Sequence, residues 1–326
     1  MNNFAIAQQD SLKPYDRAQV FIQQGDFDNA ELTLNRALQQ TPDNLDLLRI
    51  LTTTYYLERN YARALEIGSK IVERADADVV SYQIMGLTYR SIADDKSCEK
   101  LYNKALEKFP NSGLIYYEYG DLIKKKKYKK AIELWEKGIK VDPNYSGNYF
   151  KASMYYANNN NWIWAIIYGE TFINIESFTN RTIEVKGMLL DGYKNIFLEI
   201  SRNNSFVENS YEKNEFAKSI LLLLNKQIAL TSNGITPETL TSIRTNFIND
   251  WYAQGYAKRF PCFTLEYMKM LIQANIFEAY NQWVFGAATN EANYKTWVDL
   301  HSKENDMLIK FQRSQTLKLP QGQYYK

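Results

Sequence analysis

The chain has 326 residues, 45% of them apolar, and a formal net charge of +2. That length suits two domains or a repeat array rather than one core. Neither half has the basic excess of a nucleic-acid binder, with 22 basic against 23 acidic residues up to Ser177 and 17 against 14 after it. Two cysteines, Cys98 and Cys262, are too few for a disulfide framework or a four-thiolate metal site. The longest apolar runs, such as 163–168 and 220–224, fall far short of the roughly 18 residues that span a bilayer.

At the start of the chain, residues 1–10 contain Ala5-Ile6-Ala7, the small-x-small pattern that precedes a signal-peptidase cut, followed by polar Gln8-Gln9-Asp10. There is no basic start and no apolar core of about 7–15 residues, so this is not a complete signal peptide. Two readings stay open: the remnant of a leader, which implies an exported, periplasmic protein, or a chance match in a cytoplasmic one. The first resembles exported proteins of Bacteroidetes, in which a glutamine often follows the cut.

From Ser11 a repeat emerges. Pro42, Asp76, Pro110 and Pro143 end successive segments at spacings of 34, 34 and 33 residues. The segment 79–110 shows the plan most clearly. Tyr82, Met85, Gly86 and Tyr89 fall on one stripe of a first helix; Cys98, Tyr102 and Ala105 fall on one stripe of a second, ended by Pro110. Gly86, Cys98 and Ala105 let the two helices approach closely, and Cys98 is expected to be a buried free thiol. A unit this short cannot bury its apolar face alone, so it needs neighbours of the same kind.

The period, with small residues at fixed offsets, resembles the tetratricopeptide repeat family. The first unit matches through Ala18, Phe21, Gly25, Phe27, Ala30, Leu34, Ala37 and Pro42. The second matches through Leu51, Tyr55, Tyr61, Ala64 and Ile71, with Thr52 where a smaller residue is usual. The fourth carries Tyr119, Gly120, Ala131, Trp135, Gly138 and Pro143; the fifth carries Ala152, Ser153, Tyr156, Trp162, Ala165, Gly169 and Phe172. The resemblance covers 11–177 and is shared with repeat proteins of Bacteroidetes. It implies an all-α fold, a right-handed superhelix of stacked helix pairs (an α–α solenoid), with a divergent helical C-terminal region.

After Ser177 the register weakens. Residues 182–201 predict a long first helix and 216–230 an apolar second one, separated by a polar insertion at 202–212; together 178–235 form a degenerate sixth pair. Thr236-Pro237-Glu238 is a helix start, a hydroxyl cap followed by proline at the first helical position. Leu240, Ile243, Phe247 and Trp251 continue it at helical spacing, and Pro261 is expected to break it. Residues 263–286 predict a further hairpin, and 291–313 one last amphipathic helix, so that 236–326 cap the array; the tail from Leu317 is expected to be loose.

Little in the chain suggests catalysis. The one histidine, His301, lies near Asp299 and Glu304, but residues two apart on a helix point in different directions, so a solvated histidine is the better reading. Phosphate-cradling and zinc-binding signatures are absent. No cofactor, metal ligand or catalytic residue is implied, and the chain is read as non-enzymatic.

The family resemblance implies instead that set places on the first helices face a concave groove. These places are occupied by Leu12, Tyr15, Gln19, Ile22 and Gln23, then Arg49, Thr53 and Tyr56, then Val80, Gln83 and Arg90, then Tyr117, Asp121 and Lys124, then Phe150. Aromatic rings among amides and cations suit a peptide or protein segment, the rings burying apolar side chains while polar groups meet backbone amides. The lysine run around Tyr128, at 124–127 and 129–130, reads as a solvated helix end, with attraction of an acidic partner as the functional alternative. Trp135, Trp162 and Trp164 read as core between repeats. The expected function is an interaction scaffold that binds a protein or peptide and no nucleic acid. The alternatives are a structural subunit of an envelope-associated assembly, or an enzyme with its site in the C-terminal half.

Overall fold

A computed structural model describes residues 13–202 and 213–325. The leader pattern, Leu12 and most of the expected insertion lie outside the described residues. Among the described residues every regular element is helical. The chain divides into two compact units, Met1–Ala131 and Ile132–Lys326.

In the first unit the helices are α1 Pro14–Gln23, α2 Phe27–Gln40, α3 Leu45–Leu57, α4 Tyr61–Val72, α5 Val79–Ser91, α6 Asp95–Lys108 and α7 Gly113–Ile123. Helix α8, Tyr128–Val141, carries the chain into the second unit. Side-chain caps set most of these starts: Asp26, Asn44, Asn60, Asp78, Asp94 and Ser112 each accept a backbone N–H from the first turn. From α1 to α7 each helix packs on the next, and first helices also pack on first helices, α1 on α3, α3 on α5 and α5 on α7. That pattern is the solenoid arrangement.

Small residues hold the crossings close. Ala18, Ala30, Ala64, Cys98 and Ala105 are fully buried. A Cβ on Gly86 would lie 2.4 Å from the Tyr102 ring, and one on Gly68 2.5 Å from the Met85 sulfur. The Cys98 thiol sits 3.5 Å from the Gly86 carbonyl as a buried free cysteine, and burial pushes its pKa up to about 12.

The second unit continues with α9 Ser146–Asn158, α10 Trp162–Ile175 and α11 Asn180–Arg202, with α9 packed on both α10 and α11. Then come α12 Glu215–Asn225, a 3₁₀ turn Ile228–Thr231, α13 Pro237–Ala253, α14 Tyr256–Arg259 and α15 Phe263–Gln273. The apolar helix expected over 216–230 is therefore shorter. Thr236 and Thr239 form a capping box at the start of α13, with Pro237 at the first position. Gly255, in the left-handed region at φ 77°, ends α13 ahead of Pro261.

Helix α16, Phe277–Asn281, passes through a π-helical turn, Gln282–Gly286, into α17, Ala287–Thr289. The single last helix expected over 291–313 is two: α18 Glu291–Leu300 and α19 Ser302–Ser314. The break is at His301, whose ring stacks on Trp297 at 4.5 Å and lies 3.0 Å from the Trp297 carbonyl.

The tail is not loose. Leu317 and Leu319 are buried, and Asn144 binds the Leu319 backbone.

Two helical glycines separate packing from propensity. Gly86→Ala should cost about 1–3 kcal/mol because the Tyr102 ring is buried and cannot yield. Gly187, with nothing within 4 Å of its Cβ position, should gain up to about 1 kcal/mol on substitution by alanine. Denaturant unfolding followed by circular dichroism reads both.

Candidate functional site

Helical spacing brings Tyr15 and Gln19 of α1 together, and the Gln19 amide donates to the Tyr15 hydroxyl at 3.1 Å. Beside them α3 presents Arg49 and Thr53, and α5 presents Val80 and Ile84. With Ile22 and Gln23 these side chains line an open groove of about 420 Å³, floored by Ile22, Ile50 and Ile84. Thr53 bonds back to the Arg49 carbonyl at 2.9 Å, leaving its methyl and the ring of Tyr15 as neighbours of the apolar floor.

Arg49 is engaged within the chain. Its guanidinium pairs with Asp46 at 2.7 Å and with Asp78, the cap of α5. Tyr56 is half-buried, tilted against Tyr61 at 6.1 Å and packed on the first core cluster rather than lining the groove.

A second cluster lies further along the first helices. Gln83 and Arg90 of α5 both reach Glu118, a buried carboxylate of α7, at 3.0 Å. Arg90 also binds Asp121 at 2.7 Å, and Lys124 binds the other Asp121 oxygen at 2.7 Å. Burial opposes the Arg90 charge, yet Asp121 and Glu118 raise its pKa above the ordinary value. Three of the residues named from sequence, Arg90, Asp121 and Lys124, therefore satisfy one another across the α5–α7 contact, and Gln83 spends its amide on Glu118. Tyr117 is half-buried on α7. Phe150 belongs to the second unit, where it packs on Phe172 at 5.4 Å beneath the Arg181 guanidinium.

Three lysines of the basic run are paired. Lys124 has Asp121, Lys126 binds Asp95 at 2.7 Å and Lys127 binds Glu99 at 3.2 Å. Trp135 and Trp164 are buried as expected of core.

Sequence reasoning did not find a buried ion pair in the second unit. Arg244 and Glu170, 1% and 2% exposed, pair at 2.6 Å; Tyr280 donates to the other carboxylate oxygen at 3.0 Å, and Asn281 accepts from Arg244 at 2.5 Å. Tyr193, Phe277, Tyr280 and Phe285 surround the guanidinium at 5.1–5.8 Å. Burial pushes the Glu170 carboxyl up, while Arg244 and Tyr280 pull it down in part. A signal existed: Glu170 is the one charged residue of a largely apolar helix, and Arg244 sits next to the apolar stripe of α13.

Lys186 was also missed. Its ammonium lies 3.5 Å from the centre of the Trp283 ring, and burial lowers its pKa to about 7. Trp283 in turn lines an open groove of about 300 Å³ with Phe178, Tyr294, Val298 and Ile309.

Comparison with known proteins gives one family match: residues 15–79 fit the tetratricopeptide repeat. No curated protein gives a significant sequence match. Among solved structures, a tetratricopeptide repeat protein from Parabacteroides merdae ATCC 43184 is 16% identical, covering 72% of this chain and 90% of its own at a TM-score of 0.42. MamA is 23% identical, covering 49% and 94% at a TM-score of 0.40. YrrB, a repeat protein with an unusual peptide-binding site, is 14% identical, covering 57% and 96% at 0.37.

Lys186 generates a pH prediction. Between about 7 and 10.5 the unfolded chain holds a proton on Lys186 that the folded chain has lost, so stability rises with pH through that window. Lys186→Met should therefore raise stability most near pH 7, with the gain shrinking toward pH 10.5; denaturant midpoints measured across the window check it.

Proposed function

We propose that this chain, whose residues 15–79 are tetratricopeptide repeats, is a non-enzymatic interaction scaffold that holds a protein or peptide segment in the groove of its first unit. The observation that carries the reading is the groove between α1, α3 and α5. Its floor is isoleucine, and its rim offers Gln19, Gln23, the Tyr15 hydroxyl and the already paired Arg49. An isoleucine floor rewards burial of apolar side chains, at about 25 cal/mol for each Å² removed from water. Amide side chains both donate and accept, so they match the backbone of a bound segment in either direction. Arg49, neutralised by Asp46 and Asp78, serves as a fixed donor rather than as a free charge. The groove is thus suited to an extended or helical segment of mixed apolar and polar character, and not to a strongly acidic one.

The test is affinity capture from the native extract with the wild type and a Tyr15→Ala/Gln19→Ala/Gln23→Ala variant of matched helicity and melting temperature. A protein retained by the wild type and lost by the variant is the expected result. Equal retention would remove the first-unit groove from the function.

A second reading, a structural subunit that associates through its second unit, is favoured by Phe178 and Ile183. These two large apolar side chains are 65% and 70% exposed, and Phe178 borders the groove beside Trp283. Here Phe178→Ser/Ile183→Ser should convert an assembled wild type into a monomer by sedimentation. A wild type that is already monomeric at micromolar concentration would count against that reading.

A further inference from the structure

The tail from Leu317 to Tyr325 has the geometry of a bound peptide rather than of a structural element. It follows α19 through exposed Gln315 and Thr316, has no helix of its own, and turns at Gln321-Gly322, where Gly322 takes φ 87°. The Asn144 amide donates to the Leu319 carbonyl at 3.1 Å and its oxygen accepts the Leu319 N–H at 2.8 Å. Such a two-point grip on one residue's backbone reads an extended chain without reading its side chain. Side-chain selection comes from the neighbours. In an extended segment residues two apart share a face, and Leu317 and Leu319 are 2% and 8% exposed while Lys318 between them faces outward. Further on, the Tyr325 ring stacks on Phe216 at 4.5 Å, and Gln323 accepts the Phe263 N–H at 2.6 Å.

Asn144 stands one place before the cap position of its loop, as Asp43 and Asn111 do in theirs. In the loops after the first and third helix pairs, Asn44 and Ser112 cap the following helix. The residue in that place before α9 is Tyr145, which makes no side-chain cap bond, and Asn144 precedes it in the turn after Pro143. Only one backbone–backbone hydrogen bond among those of the described residues ties the tail down, Leu317 N–H to the Asn174 carbonyl at 3.4 Å. Side chains hold the rest.

We propose that the second unit carries a binding site for a segment with two apolar residues two apart, then a turn, and an aromatic residue six positions beyond the second of them. Asn144 grips the backbone, Phe216 takes the aromatic ring, and the chain's own tail is an exchangeable occupant. The tethered tail blocks the site by its high local concentration, about millimolar for a short flexible link. The site is separate from the first-unit groove, and its test does not depend on that groove.

The experiment uses the full chain and a fluorescein-labelled peptide of residues 316–325. Leu317→Asp/Leu319→Asp disables the tail and leaves the receiving surface intact. The labelled peptide should bind this variant at least tenfold more tightly than the wild type, and adding Asn144→Ala should abolish the gain. Failure of the peptide to bind the tail variant, or equal binding to the wild type, would overturn the proposal. Loss of helical circular dichroism in the tail variant would overturn it as well, since the tail would then be core. Hydrogen exchange in the wild type gives an independent reading. The Leu319 amide should exchange far faster than the buried amides of α10, and exchange only on global unfolding would contradict an exchangeable tail.

Discussion

Close approach of helices at small side chains is the constraint on which both units depend. Ala18, Ala30, Ala64, Cys98, Ala105, Ala152 and Ala165 are all fully buried, and Gly68, Gly86, Gly169 and Gly192 sit where a Cβ would press on a neighbouring side chain. Interaxial distance follows the size of the residues at the crossing. Small residues there bring large ones such as Tyr82, Met85 and Tyr102 into continuous contact between neighbouring helices. Each pair exposes an apolar face that only the next pair can cover, so within a unit every helix pair owes its stability to its neighbours.

Polar groups are managed differently in the two units. In the first, charged side chains bridge successive first helices: half-buried Arg49 to Asp78, and Arg90 to the largely buried Glu118 and Asp121. Such pairs add little energy where they are exposed, but they fix the register of one first helix on the next. In the second, the pair Arg244–Glu170 is fully buried among aromatic rings. Desolvation opposes a pair of this kind, and its geometry and extra hydrogen bonds offset that cost. Its partners come from α10, α13 and α16, so it discriminates against alternative packings of these helices.

Three of the regions singled out are therefore engaged within the chain itself. The arginines carry ion pairs, the lysine run is half paired, and the tail is gripped by Asn144. Open grooves lie at the Tyr15–Gln19 end of the first unit and at the Phe178–Trp283 face of the second.

Local patterns were enough for much of this. The helix pairs, the cap at Thr236, the small residues at Gly86 and Cys98 and the buried Trp135 and Trp164 were all legible, because caps and helical stripes repeat over a few residues and the units over about 34. The grouping of Tyr15, Gln19, Arg49 and Thr53 came from the family resemblance, which assigns set places on the first helices to one face, and these four side chains do line one groove. Tertiary structure alone decided what those side chains meet. Arg90 faces Glu118 rather than open solvent, the helix over 291–313 breaks at a histidine stacked on its own previous turn, and the tail docks. Arg244 and Glu170 are 74 residues apart, and Asn144 and Leu319 are 175 apart. Contacts at such separations have no period to betray them, because they are fixed only when independently determined helices come to rest against one another.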